Sequence, residues 1–509
     1  MENHQTSVSS ARWITPLNFV VLYCAFYFLR IVYRIYFHPL AKYPGSRLAA
    51  ASTEWYEWYW NIHKPGQLLF EIERLHEQHG PVIRIGVNEL HINSPSYFQE
   101  VTKVSSKFTK EPTFYRGISF PSSSIGLTDP HVHRIRRQVL NPLFTVSRVQ
   151  TVAPKLQSKV EHLCQKFDGL ASKDSPVNLY AAFKSLTMDI VSEMIFGESF
   201  HVMDSAGFQH PHLDALHDAV KKAWIFRTFP NLGWLSLNLP DSVSSTLFPI
   251  PIIEFGKVCR KRIDSYMINR SKPDQKNRSE ILEQLLDPNA ARGHVVPNAY
   301  DLNEEALTLL TAGNDTTANS MIIGAYLICT HHEVLKRMVE ELQEAFPEGD
   351  DGITFERAKQ LPYLTAVLRE VLRCSNPLPG RLPRVVPSEG ASVDGIDLAP
   401  GVIVHTSAYL LNRHKSVWGE DSWQFKPERW LIDQPQTLDK YMTSFYKGSR
   451  QCLGMNLAWC ELYLLMSKMF LRYEVEIYKT TAADMAWTDH LLMLFNGNDF
   501  HAKLRRRKA

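Results

Sequence analysis

Phe445-Tyr446-Lys447-Gly448-Ser449-Arg450-Gln451-Cys452-Leu453-Gly454 is the stretch on which the reading of this chain turns. One cysteine follows a cation by two residues and has a glycine on either side. The pattern F-x-x-G-x-R-x-C-x-G fixes five of ten positions, so a chance match in 509 residues is a poor explanation. The apolar spacing of Leu453, Leu457, Cys460 and Leu464 predicts a helix over 453–472 with Cys452 at its N-terminus. Free N–H groups and the helix dipole lower a thiol pKa there, so a thiolate is the expected state. Gly448 and Gly454 permit a sharp turn and a close approach of backbone to a flat group. A buried free thiol is the plain alternative and the commonest fate of a lone cysteine. Cys460, mid-helix and without the flanking Gly and Arg, reads that way. Cys452, with the whole motif around it, reads as a metal ligand.

The hydrophobic share of 44% is enough for a large core, and a net charge of +3 gives no sign of nucleic-acid binding. Seven cysteines without paired or C-x-x-C spacing fit a reducing compartment rather than a disulfide framework.

Two further segments carry polar groups in apolar surroundings. Asp301 followed by Glu304 predicts a helix start by capping-box logic. From Ala306 to Cys329 the sequence is apolar on every face, so this helix is expected to be buried. Inside it lies Ala312-Gly313-Asn314-Asp315-Thr316-Thr317. An acid and a hydroxyl in a buried helix are costly unless they have partners or a task. Thr316 is suited to bond back to the helix backbone and open a kink, beside Asp315 as a proton source. Gly313 removes a side chain where a flat cofactor or O2 must fit. The alternative is a polar pair that only stabilises a helix distortion. Pro362 opens another helix, Leu361–Cys374, which places Glu370 and Arg373 three apart on one face.

Together these motifs resemble those of the cytochrome P-450 monooxygenases, and among them the fungal microsomal enzymes of secondary metabolism, trichodiene-oxygenase-like. The Cys452 loop matches the family's haem-ligand loop, Ala312–Thr317 its A-G-x-D-T-T motif, and Glu370–Arg373 its E-x-x-R motif. The resemblance covers nearly the whole chain. It implies a mainly α fold with a small β subdomain and an N-terminal transmembrane helix. It implies haem b with Cys452 as the axial iron ligand, whose thiolate favours O–O cleavage. Phe445, Gly448 and Gly454 shape the cofactor loop. Arg450, Arg384, Arg137 and His133 are implied partners of the haem propionates. The family's W-x-x-x-R is His133-Arg134-Ile135-Arg136-Arg137 here, with imidazole in place of indole; Arg134 and Arg136 read as solvated surface. Asp315 and Thr316 become the catalytic proton relay. Glu370 and Arg373 would lock onto Arg429 in Phe425-Lys426-Pro427-Glu428-Arg429-Trp430, where Trp430 replaces the usual Phe. Phe120, Ile125, Leu309, Ala312, Val385, Leu494 and Phe495 line the substrate pocket by position only.

The resemblance also implies electrons from NADPH through a separate NADPH-cytochrome P-450 reductase, since no Rossmann glycine fingerprint or flavin stretch occurs in the chain. The substrate class it implies is an apolar biosynthetic intermediate, first a terpenoid or meroterpenoid. A haem-thiolate isomerase or dehydratase needs no acid–alcohol relay, so Asp315-Thr316 counts against it. A haem-binding sensor would carry a signalling domain, and none is apparent.

Trp13–Leu29 is uncharged over 17 residues. As a helix it spans about 26 Å, slightly short of a ~30 Å hydrocarbon core. Arg30 can snorkel and residues 31–33 can extend the span. Arg30, Arg34, Lys42 and Arg47 follow the run while Arg12 alone precedes it, which places the bulk of the chain in the cytosol. A cleaved signal peptide lacks a nearby small-residue site. The expected division is a membrane anchor over 1–30, a proline-rich, non-helical hinge over 31–50, and the haem-thiolate catalytic domain over 51–509. The implied location is the endoplasmic reticulum membrane, single-pass. A strand pair is expected at 82–85 and 90–93, a polar surface connection at 271–300, and a solvated basic tail at 505–508; by the resemblance the apolar stretch 226–255 would join two lid helices and touch the bilayer, with an ordinary apolar loop packed on the core as the alternative.

Overall fold

Pro16–Tyr36 forms the first helix, and nearly all its side chains are exposed. The computed structural model describes residues 16–118, 120–229, 251–270, 278–497 and 499–507; the first part of the expected anchor, and residues 230–250 of the expected lid, lie outside them. Over 20 residues, Leu17–Tyr36, the helix is long and apolar enough to cross a membrane. It runs through Arg30 and Arg34 to Tyr36, past the boundary expected at residue 30. The break falls just before Pro39, whose ring disfavours helical backbone at the preceding residue. The hinge is not free of helix either: Pro39–Lys42 is a 3-10 turn, and Ser46 caps a short helix at Arg47–Ala51. Arg34 donates to the Ala51 carbonyl at 2.8 Å, and Arg84 donates to the Arg34 carbonyl at 2.9 Å, which tie the helix end to the globule.

The expected strand pair is present as Val82–Gly86 and Glu89–Ile92. It opens a five-stranded sheet that continues through Ile403–His405, Arg384–Val385 and Thr109–Lys110. Glu89–Ile92 runs parallel to Ile403–His405, and the other neighbours are antiparallel. In this register Lys110 stands opposite Arg384. Like charges facing each other across strands are unfavourable without a counter-charge.

The rest is mainly helical and is organised around the helix Ala299–Thr330, called the central helix below. It packs on Leu179–Phe196, Pro251–Asn269, Pro362–Ser375 and Met455–Arg472. It starts earlier than the capping-box logic places it. The cap is Asn298, whose Oδ1 accepts from the N–H groups of Tyr300 and Asp301 at 2.8 and 3.0 Å. Asp301 lies inside the first turn, where an acid still favours the helix dipole. The helix is not buried on every face. Leu309, Ala312, Gly313 and Thr316, spaced as one helical stripe, are only half-buried.

Gly313 has a different reason from the one expected. A Cβ there would come within 2.8 Å of Val191 Cγ2 on Leu179–Phe196. Its bare backbone serves close helix–helix approach rather than cofactor space. One other expectation is corrected. Part of 271–300 is the helix Glu280–Leu286, capped by Ser279, with four leucine and isoleucine side chains buried. In the basic tail, Arg505 and Arg506 are exposed, as expected, and close the strand His501–Arg506, which pairs with Tyr473–Ile477; Arg505 faces Glu476 at 3.1 Å.

Candidate active site

Cys452 sits in a tight loop immediately before the helix Met455–Arg472. The helix begins two residues later than its apolar spacing predicts, because Gly454 serves as the cap. The Cys452 N–H donates to the Phe445 carbonyl at 2.8 Å and closes the loop. Between them Tyr446 and Gly448 take left-handed backbone, φ 55° and 65°. Gly448 is needed for a contact the sequence reading did not foresee: any Cβ there would overlap the Thr102 carbonyl oxygen. Gly454 differs, since a Cβ on it would face open space. The Cys452 side chain is accessible although protein surrounds it closely, so it looks onto an interior space.

The thiol is not held as a thiolate by its local dipoles, which corrects the expectation. Burial pushes its pKa up, and the Gly454 N–H and Arg137 lower it by less. A thiolate at this position needs a stronger positive charge, which a coordinated metal supplies.

Five basic groups converge beside the loop, namely Lys110, His133, Arg137, Arg384 and Arg450. Lys110, His133 and Arg384 are buried. Burial, followed by Arg450 and Arg384, drives Lys110 well below the usual amine range. Burial and then the four neighbouring cations push His133 down to about 2, so its imidazole is neutral. Burial, then Arg384, lowers Arg450 to about 10. Among the described residues none of the five has a carboxylate partner. Their hydrogen bonds go to neutral oxygens: Arg384 to Tyr115 Oη at 2.6 Å, Arg450 to the Leu127 and Thr128 carbonyls at 2.8 and 3.3 Å, Lys110 to the Ile125 carbonyl at 2.6 Å. Such a cluster is unstable alone and fits a doubly anionic group. Haem, with two propionates and a thiolate-binding iron, matches this donor set. Lys110 was absent from the sequence reading. It lies on a two-residue strand without a motif, and only the pairing with Arg384 brings it in.

Asp315 and Thr316 lie on the central helix. Asp315 is buried and pairs through Oδ1 with Lys184 of Leu179–Phe196, while its Oδ2 has no partner. Lys184 is a second residue the sequence reading missed; the pair joins positions 131 residues apart. Thr316 Oγ1 donates to the Ala312 carbonyl at 2.6 Å, as expected, but the helix stays α-helical throughout rather than opening. Arg136 is not solvated surface: it pairs with the buried Glu305.

The structural network is closed. Glu370, fully buried, accepts from Arg373 Nη2 and Nε at 2.7 and 2.8 Å and from Arg429 Nε at 2.9 Å. Trp430 Nε1 and the Lys426 N–H add bonds of 2.9 Å each. Burial alone would raise the Glu370 pKa, but the two arginines hold it below the usual carboxylate range. Arg373 also donates to the Asn412, Ser422 and Gln424 carbonyls, and Asn412 Oδ1 accepts from Thr443 at the start of the cysteine loop. Trp430 therefore does more than stand in for Phe. Trp430→Phe keeps the ring but strips a donor from a buried carboxylate, with an expected loss of about 1.5–3 kcal/mol in chemical denaturation.

Of the positions proposed for substrate, Leu309, Ala312 and Val385 are half-buried, and Leu309 and Ala312 share the accessible stripe with Thr316. Phe120 is half-buried against the core and Ile125 is exposed. Leu494 and Phe495 are buried, Phe495 edge-on to Tyr180 with ring centroids 6.0 Å apart.

A cysteine loop at a helix start, a cation cradle and an acid–alcohol helix define the haem-thiolate class, and the chain belongs to the cytochrome P-450 family, whose model matches residues 52–499. It is 46% identical to sol6, a cytochrome P-450 monooxygenase of Alternaria solani, over 85% of this chain and 94% of that protein. It is 33% identical to the monooxygenase macH of Penicillium terrestre, over 97% and 98% of the two chains. The monooxygenase phqM of Penicillium fellutanum is 31% identical over 89% of this chain and 85% of its own. The chain is an oxidoreductase that incorporates oxygen from O2, with a haem cofactor and electrons from a redox partner.

Proposed function

We propose that this enzyme oxidises an apolar intermediate of fungal secondary metabolism, a terpenoid or meroterpenoid first, with electrons from NADPH through a separate reductase. Pro16–Tyr36 anchors it in the endoplasmic reticulum membrane with the catalytic domain, from about residue 51, in the cytosol. The observation that carries the site assignment is the group of five bases without carboxylate partners beside an accessible cysteine.

In this reading Cys452 ligates the haem iron, and Arg137, Arg384, Arg450, Lys110 and His133 take the propionates. Haem, when bound, supplies O2 activation and C–H oxidation. The protein's own residues do the rest. Phe445, Gly448 and Gly454 shape the ligand loop, and Glu370, Arg373 and Arg429 hold it in place. Lys184 fixes Asp315 through Oδ1 and leaves Oδ2 as the oxygen that can take up or release a proton, while Thr316, whose Oγ1 is bonded to the Ala312 carbonyl, supplies the hydroxyl of the relay. The half-buried stripe of Leu309 and Ala312, with Val385, Phe120 and Ile125, offers an apolar wall to substrate and excludes water.

The test is reconstitution with reductase, NADPH and candidate terpenoid intermediates, following product and NADPH use. Oxygenated product that requires both is the expected result. Conversion without NADPH or reductase would favour isomerase or dehydratase chemistry and overturn the proposal.

A further inference from the structure

We propose that Glu304 and Glu305, in the second turn of the central helix, are positioning residues that clasp the 120–128 loop beside the haem pocket. Release of this clasp is the step that admits a bulky apolar substrate. The proposal rests on the pocket reading above.

The loop has no helix or strand of its own, yet it is internally stiff. Ser123 Oγ donates to the Phe120 carbonyl at 2.6 Å, the Gly126 N–H donates to Ser123 Oγ at 3.1 Å, and the Leu127 N–H donates to the Ser123 carbonyl at 2.9 Å. A side chain at Gly126 would overlap the Phe120 carbonyl. The segment can therefore move as one body.

Its attachments lie at two edges. On the helix side, the Ser122 N–H donates to Glu304 Oε2 at 2.8 Å and the Ser124 N–H to Glu305 Oε2 at 3.0 Å. Arg136 bridges Glu305 and the Ser122 carbonyl, the latter at 3.4 Å. On the other side, Lys110 and Arg450 hold the Ile125, Leu127 and Thr128 carbonyls. The loop thus spans from the cation cradle to the central helix, the two elements that the pocket reading places around the haem. It carries Phe120 and the exposed Ile125.

Both glutamates are buried, so each amide–carboxylate bond is strong. They are few, however, and breaking them unfolds no secondary structure. Glu305 Oε1 and, one turn on, Thr308 Oγ1 are buried without partners, so the clasp is not fully satisfied in its closed form. Glu304 faces the Ser122 amide and the Tyr300 hydroxyl, and among the described residues no cation is one of its hydrogen-bond partners. Its truncation strands no positive charge.

The experiment uses the holoenzyme with two iron-ligating probes, imidazole and the bulky clotrimazole, together with residue-resolved amide exchange. Glu304→Ala is expected to raise the Ser122 exchange rate and the clotrimazole association rate by about tenfold or more. Imidazole association should stay within about twofold, because a small ligand does not need the loop to move. Glu304→Gln keeps an acceptor oxygen and should restore both rates. A paired Glu305→Met and Arg136→Met variant opens the Ser124 side without leaving an unpaired charge, and decides the matter if Glu304→Ala does not fold. Unchanged exchange in a folded variant overturns the clasp, as does equal acceleration of both probes. If the wild type shows no spectral shift with imidazole, the pocket reading fails, while amide exchange still decides whether the clasp exists.

Discussion

Cys452→Ser is expected to abolish the carbon monoxide difference band of thiolate-bound haem, and product formation with it. Serine is nearly isosteric, and the Cys452 N–H bond to the Phe445 carbonyl involves only backbone. The loop and fold should therefore survive, and thermal unfolding of the variant checks that they do. What is lost is the thiol beside the cation cradle, and an alcohol does not ionise there, since burial already pushes the more acidic thiol up. Cys460→Ser is the matching control. Cys460 is buried within Met455–Arg472, and its thiol is raised by burial first and then by Glu461. That variant should keep the band. A normal band in Cys452→Ser, or its loss only in Cys460→Ser, would sink the ligand assignment.

Glu370→Gln is expected to cost about 3–5 kcal/mol, because it breaks a buried ion network while leaving its cations in place. Five N–H groups converge on two carboxylate oxygens, and a glutamine amide would turn its own N–H donors toward some of them. Against a total stability of roughly 5–15 kcal/mol, that removes a large share of the margin, and a lower yield of folded, haem-loaded protein is expected. The pH dependence has a definite sign. The folded-state pKa of Glu370 is lowered, so its stabilisation is present above the unfolded value of about 4.3 and is lost as pH falls through the folded value. Resistance of the wild type to urea should therefore fall in acid, and Glu370→Gln should lack that part of the dependence. Wild-type stability and a full haem complement in Glu370→Gln would remove the network from its architectural role.

The motifs were legible in the chain because each packs its chemistry into a few consecutive residues. Phe445 to Gly454, Ala312 to Thr317 and Glu370 to Arg373 are such segments, and the helices carrying the last two were placed within several residues of their observed ends. The apolarity of the N-terminal helix was equally plain. Less was visible wherever a residue's reason lies in a neighbour distant along the chain. Gly313 reads as cofactor space until Val191 is seen against it, and Arg136 reads as solvated until Glu305 closes on it. Trp430 reads as a neutral exchange for Phe until its indole N–H reaches Glu370.

By itself the sequence determined the haem-thiolate class, the ligand cysteine to propose, and the helix bearing the acid and alcohol, since these depend on residue type and short spacing. Only the tertiary structure decided which charges meet. Lys110 joins the cradle because a two-residue strand pairs beside Arg384, and Lys184 reaches Asp315 because two helices pack closely at Gly313. The physical reason is that a buried charge is tolerable only with a partner at hydrogen-bond distance, and the identity of that partner is a property of the fold, not of the neighbouring sequence.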